Sequence, residues 1–326
     1  MLRRKKVIAG IDLGGTSMQV LLVDQRNNIL AEAKAPTRRA KKALGVVADI
    51  ATAVEEAMTL AGLKRYDLTA ASIGAPGPVD AERGIVHHAP NLGWIEFPLG
   101  PTLAKRLRVP VFLENDVNAG TVGEHTLGAG VGASNLIGIF VGTGIGGGLI
   151  VNGKLYEGSH GGAGEVGHML IVVDGPLCGC GHRGCVEAVA SRTAMERDVR
   201  AAIKSGRKSC VLELMKRKNK TRMTSSVINA ALKRKDPVMR EVMEHAQQYL
   251  GILVANVVNL LDPDCVVIGG GLAGRLGELY VGPIREHAHE HFFREKDVKR
   301  IRVVPGKLAD NAGAFGAVVL ARRRLR

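Results

Sequence analysis

One pattern in this chain restricts the fold more than any other. A short apolar run, Val7 to Ile11, is broken by Asp12-Leu-Gly-Gly-Thr16 and resumes from Met18 to Val23. Much later, Leu136 to Val141 is broken by Gly142-Thr-Gly-Ile-Gly-Gly-Gly148 and resumes from Leu149 to Val151. Both read as hairpins with glycine at the bend. The first is followed by a helical stretch from Leu44 to Leu60, with apolar residues near a 3.6 period, and by short strands at Ala70 to Ala75 and Val109 to Leu113. The second is followed by a helical region over Arg192 to Leu261, a strand at Val266 to Ile268 and a last helix over Ala312 to Arg324. The order predicts two similar α/β halves facing each other across a cleft. The expected domains are 1–117, completed by the C-terminal helix 312–326, and 118–311 with the helical region.

Composition agrees. A chain of 326 residues suits two domains, and 46% apolar residues suffice for large cores. Few aromatics (3%) and 42 glycines fit a loop-rich α/β enzyme better than a sandwich or a coiled coil. The longest apolar stretch, Leu136 to Val151, is glycine-studded and short of the ~20 residues of a membrane span. Met1-Leu-Arg-Arg-Lys-Lys6 imitates the basic end of a signal peptide, but Asp12 stops the apolar run too early. The expected location is the cytosol, without membrane contact.

The net charge of +14 is uneven: residues 200–235 hold twelve basic residues and one acid, Glu213. This segment reads as a solvated helical face or as a site of non-specific contact with polyanions. It lacks interleaved aromatics for base stacking. Of five cysteines, Cys178, Cys180 and Cys185 cluster, which in a reducing compartment points to a metal rather than to disulfides.

The glycine bends suit phosphate, because backbone N–H groups without a Cβ can approach phosphate oxygens. The candidate nucleotide residues are Asp12, Gly14, Gly15 and Thr16 in the first bend and Gly142, Thr143 and Gly144 in the second. Asp12 is placed to hold magnesium through water. Two rival motifs fail. Gly148-x4-Gly153-Lys154 has Leu155 where a Walker loop needs Ser or Thr. Gly269-x-Gly271-x-x-Gly274 matches the dinucleotide fingerprint of an oxidoreductase, but too little chain follows for the remaining ~30-residue βαβ units.

Asp12-Leu-Gly-Gly-Thr16, Glu114-Asn-Asp116, Gly142-Thr-Gly-Ile-Gly-Gly-Gly148, Glu165-Val-Gly-His168 and Cys178-Gly-Cys-Gly-His-Arg-Gly-Cys-Val-Glu187 together resemble the ROK family of sugar kinases and repressors. Ala75-Pro-Gly-Pro-Val-Asp80 and Ala89-Pro-Asn-Leu-Gly-Trp94 resemble its glucokinase subgroup. The resemblance implies an actin-like, hexokinase-type fold that closes over ATP and a sugar. Ser17 departs from the lysine that many members carry there.

A sugar hydroxyl must lose its proton as it meets the γ-phosphate. Asp116 ends a strand, where α/β sheets present ligands, and matches the family's catalytic aspartate. The alternative is that it merely caps the following helix. The resemblance further implies sugar contacts by Asn115, Asp116, Glu165, His168 and Glu187, with Gly77 and Asn91 from the other wall, and adenosine packing by Gly269, Gly270 and Gly271. His168, Cys178, Cys180 and Cys185 form a Cys3His set, a closed and therefore structural zinc site, with His182 a bystander. It would clamp the loop of Glu165 to the loop of Glu187.

The expected activity is ATP-dependent phosphorylation of the glucose 6-hydroxyl, with zinc, magnesium and ATP required and a dimer or tetramer as the working form. N-acetylglucosamine, N-acetylmannosamine, mannose and fructose kinases share all these residues. A sugar-sensing repressor would need a helix-turn-helix ahead of the first strand, and eleven residues before Asp12 are too few.

Overall fold

A computed structural model describes residues 6–38 and 42–326. The basic start, residues 1–5, lies outside them. The chain divides into two compact units: Met1–Val131 with Leu155–Ala163 and Asn311–Arg326, and Gly132–Lys154 with Gly164–Asp310.

In the first unit, β1 (Val7–Leu13), β2 (Ser17–Asp24) and β3 (Ile29–Pro36) form an antiparallel meander. β4 (Leu68–Ala75) lies parallel to β1, and β8 (Val111–Asn115) parallel to β4, giving the order β3-β2-β1-β4-β8. Alternation along β1 sorts its neighbours by face. Val7, Ala9, Ile11 and Leu13 join the core built with α1 (Ala43–Leu60) and α2 (Leu99–Leu107). Gly10 points the other way, towards α11 (Ala312–Arg324), where an added Cβ would lie 2.1 Å from the Ala314 carbonyl oxygen. Glycine at that position therefore sets the helix–sheet distance. α11 also packs on α3 (Asp116–Leu127), and a Cβ on Gly123 would lie 2.3 Å from the Ala312 oxygen. α1 buries Val46, Val47, Ile50, Val54 and Met58, the stripe its periodicity predicted. Sequence patterning did not anticipate α2, β3 or the small sheet β5 (Val79–Asp80), β6 (Ile85–Ala89) and β7 (Trp94–Phe97).

The second unit repeats this wiring. β9 (Leu136–Val141) and β10 (Ile145–Val151) are an antiparallel hairpin followed by β11 (Lys154–Tyr156). β12 (Cys265–Gly269) lies parallel to β9, and β13 (Arg302–Pro305) parallel to β12. The order β11-β10-β9-β12-β13 has the same pattern as the first sheet, and the senses of β10, β9, β12 and β13 match those of β2, β1, β4 and β8. The expected helical region resolves into α5 (Arg192–Lys204), α6 (Val211–Arg217), α7 (Ser225–Lys233) and α8 (Pro237–Leu261), preceded by α4 (Val186–Ala190). α8 starts where Asp236 accepts the Met239 N–H and Pro237 takes the first turn. α10 (Glu278–His289), after the short α9 (Gly271–Leu276), packs along it.

Two boundaries differ from expectation. The second bend ends at Gly144, because Gly146, Gly147 and Gly148 pair with Phe140, Ile139 and Gly138 as β10. These glycines serve close approach rather than turning: a Cβ on Gly147 would lie 2.6 Å from the Gly164 oxygen. β8 also runs on through Glu114 and Asn115, so that α3 begins at Asp116 itself. Among the described residues, no helix is long and apolar enough to cross a membrane.

Candidate functional site

Asp12 and Asp116 stand at one edge of one sheet. The parallel register aligns Asp12 with Gly74, and Gly74 with Glu114, across β1, β4 and β8. Two strand spacings put Asp12 and Glu114 roughly 10 Å apart at the carboxyl edge, where such sheets bind ligands. Gly74 contributes no side chain between them, and a Cβ there would lie 3.2 Å from the Asp116 Cα. Asp12 packs against Gly313, whose Cβ would come within 2.9 Å of the Asp12 carboxyl carbon. The first bend is braced from inside: Gly14 N–H donates to the Ser17 oxygen at 3.0 Å, and the Thr37 hydroxyl donates to the Gly14 oxygen at 2.8 Å.

The cap of α3 is Asn115, not Asp116. Asn115 Oδ1 accepts from the N–H groups of Val117 (2.9 Å) and Asn118 (3.1 Å). Its amide nitrogen donates to the Gly77 oxygen at 3.1 Å and to Asp116 Oδ1 at 3.2 Å. Asp116 Oδ1 also accepts the Val117 N–H at 3.0 Å. The predicted residues Gly77, Asn115 and Asp116 thus form one network, in which Asn115 orients the acid. Gly77 adopts φ +88°, and a Cβ would strike the His88 oxygen at 2.1 Å, so glycine is needed there. Asn91 is exposed on the turn between β6 and β7. Behind the acid lies Glu114, 2% exposed, which accepts from Asn115 N–H at 3.0 Å and from the Asn118 amide at 3.2 Å. Burial raises its pKa above the usual carboxylate range against these hydrogen bonds.

In the second unit, Gly142 N–H closes the bend on the Gly144 oxygen at 2.8 Å. Glu187, in α4, supports it from beneath: Oε2 accepts the Ile145 N–H at 2.9 Å. Gly269 to Gly271 pack on the end of β9, where Gly270, at φ +91°, would place a Cβ 2.3 Å from the Val141 oxygen. Beside Gly271 stands Ser225 of α7, its hydroxyl 2.9 Å from where a Cβ would be.

His168, Cys178, Cys180 and Cys185 come together, with all four ligand atoms within 4.8 Å of one another. Cys178 Sγ lies 3.7 Å from His168 Nδ1, and Cys180 Sγ lies 3.7 Å from Cys185 Sγ. A tetrahedral zinc with Zn–S near 2.3 Å needs edges of about 3.8 Å, so the donor set fits zinc. Cys178 is pushed up to about 12 by burial, whereas hydrogen bonds from His182, backbone first, lower Cys180 to about 6. His182 Nδ1 is 3.5 Å from the Cys180 sulfur but outside the foursome. Nδ1 of His168 faces the sulfurs, and Nε2 faces outward, 3.9 Å from Glu165 Oε2. Glu187 Oε1 lies 3.7 Å from the Cys178 sulfur. Backbone pairing of Leu170 with Cys185, and of Val186 N–H with the Met169 oxygen, ties the two loops together.

Arg192 and Thr193, which no sequence motif singles out, reach the second bend. Arg192 Nη2 donates to Thr143 Oγ1 at 2.9 Å, and the Thr193 hydroxyl donates to the Thr143 oxygen at 2.7 Å. The contacts span about fifty residues, so no local motif marks them. The basic segment is in part paired: Arg200 and Arg222 both bind Glu196, Arg207 binds Glu241, and Arg217 and Arg234 flank Glu213.

Duplicated sheets with glycine bends, an acid at the end of a parallel strand and a Cys3His cluster define a class of actin-like, hexokinase-type proteins. The chain belongs to the ROK family, whose model matches residues 8–324. It is 35% identical to a glucokinase of Thermotoga maritima, over 98% of this chain and 99% of that one. It is 31% identical to a xylose repressor of Caldicellulosiruptor bescii, over 96% of this chain and 77% of that one. Among solved structures, a ROK family glucokinase from Streptomyces griseus, in complex with glucose and AMPPNP, superposes with a TM-score of 0.86 at 34% identity, covering 97% of this chain and 99% of that one.

Proposed function

We propose that this protein is an ATP-dependent hexose kinase that phosphorylates the 6-hydroxyl of glucose. The observation that carries the reading is the carboxylate of Asp116, oriented by Asn115 at the carboxyl edge of the sheet that also presents Asp12 and the first glycine bend. Full-length similarity to glucokinases supports the choice of sugar.

In this mechanism Asp116 takes the proton from the sugar hydroxyl as that oxygen attacks the γ-phosphorus. Two donors, the Asn115 amide and the Val117 N–H, orient the carboxylate through Oδ1. The glycine bends offer N–H groups to the phosphates, and Asp12 holds the magnesium of Mg–ATP through water. Glu165, His168 and Glu187 receive the sugar hydroxyls, each of which must be re-bonded when stripped of water. His168, Cys178, Cys180 and Cys185 would hold zinc, and with protein filling all four positions it would supply rigidity and not Lewis acidity. With Nδ1 turned to the sulfurs, Nε2 of His168 is the ring nitrogen that would meet the sugar. The setting is the cytosol, where ATP is at hand and the thiols stay reduced.

A coupled ADP-release assay across glucose, mannose, fructose, N-acetylglucosamine and N-acetylmannosamine tests the proposal. Glucose is expected to give the highest kcat/KM. A higher value for an acetamido sugar would transfer the assignment, and no turnover with any of them would defeat it.

A further inference from the structure

We infer that Arg192 is a nucleotide-binding residue that grips the phosphates of ATP beside the second glycine bend. This rests on the kinase reading and names a contact that the bend motifs do not include.

Arg192 is locked in place twice. Its backbone N–H donates to the Gly142 oxygen at 3.1 Å, and its Nη2 donates to Thr143 Oγ1 at 2.9 Å. The guanidinium therefore lies against the bend itself. A second arginine approaches the same spot, because Arg222 Nη2 donates to the Thr193 hydroxyl at 3.2 Å, which in turn holds the Thr143 oxygen. Arg222 lies three residues before Ser225, the neighbour of Gly271. The two cations thus stand among the parts proposed to receive phosphate and adenosine, all within one unit.

The charge balance there is incomplete. Glu196 is the carboxylate whose charge acts on Arg192, yet its oxygens are already taken by Arg200 (2.8 Å), Arg222 (3.0 Å) and the Met223 N–H (2.9 Å). No carboxylate forms an ion pair with Arg192 among the described residues. Burial and then the charge of Arg222 hold the Arg192 pKa below the usual guanidinium range. A half-buried cation in this position gains most from an anion delivered by a ligand. One of five N–H donors is used on Thr143, and the planar fork suits two phosphate oxygens at once.

The test is calorimetric binding of ADP and of adenosine to the zinc-loaded full chain, with Arg192→Gln and Arg192→Lys beside the wild type. Gln keeps a donor for Thr143 but not the charge, and Lys keeps the charge but not the fork. Arg192→Gln should weaken ADP about tenfold, the worth of one charge-assisted contact, and leave adenosine within about twofold; Lys should recover part of the loss. Unchanged ADP affinity in the Gln variant, an equal loss for adenosine, or a Lys variant no better than Gln would overturn the assignment. Neither arm uses a sugar, so the kinase reading fails separately: wild-type protein that binds ADP but phosphorylates no hexose leaves Arg192 standing.

Discussion

Gly144→Ala tests how tightly the second bend is built on Glu187. The new methyl would sit 2.2 Å from Glu187 Oε2, where ordinary contact begins at 3.4 Å, an overlap of 1.2 Å. The bend cannot yield easily, since Gly142 N–H closes it and Thr143 is held from two sides. The carboxylate must swing away and give up the Ile145 N–H. Losing a hydrogen bond to a charged group costs about 1.5–3 kcal/mol, or roughly 4–8 °C in Tm for a unit of this size. If Glu187 also receives a sugar hydroxyl, the glucose KM should rise about ten- to hundredfold, the same energy read in binding. The assay is steady-state kinetics in glucose and in ATP for Gly144→Ala, Glu187→Ala and the double variant. Glu187→Ala vacates the space that the methyl needs, so the glucose effect of Gly144→Ala should nearly vanish on that background. Fully additive losses in glucose kcat/KM would refute the reasoning, because the effect would then travel through the bend alone.

Two further outcomes follow from other parts of the molecule. The purified chain should carry one zinc, and Cys180→Ala should lower both zinc content, by elemental analysis, and turnover; full activity in metal-free protein would separate the metal from the sugar site. Glu196 is raised by burial, but the Met223 N–H, Arg200 and Arg222 outweigh this and hold its pKa below the usual 4.5. Its ionised form therefore stabilises the fold above that pH, and the benefit fades as pH falls through the lowered value. Urea titrations should show Glu196→Gln less stable by about 2 kcal/mol at pH 7, with the gap closing in acid; a gap that persists in acid would contradict this.

Much of this architecture was legible in the residues. The two glycine hairpins announced a duplicated α/β fold, and the last helix was bounded correctly from Ala312 to Arg324. Glycine also misled. Gly146 to Gly148 read as bend, yet they are strand, because local pattern does not distinguish a glycine that turns from one that admits a neighbouring backbone. The small sheet from Val79 to Phe97 was missed because its strands are too short for a periodicity signal. Of the site, the Cys3His set was legible from chemistry and spacing, since few other arrangements bring three thiols and an imidazole so close. The cap of α3 was legible only in part: Asn115 and Asp116 are both cap formers, and the side-chain geometry decides for Asn115. Arg192 was illegible, because its meaning comes from contact with Thr143 and with no neighbour in sequence.

The central claim is that Asp116 removes the proton from the sugar, and the most direct measurement is the turnover of Asp116→Asn with glucose and Mg–ATP. Asparagine preserves the shape and the start of α3 but cannot take the proton. The expected result is a loss of ~10²–10⁴ in kcat with the glucose KM within about threefold. Near-normal turnover in that variant would contradict the account.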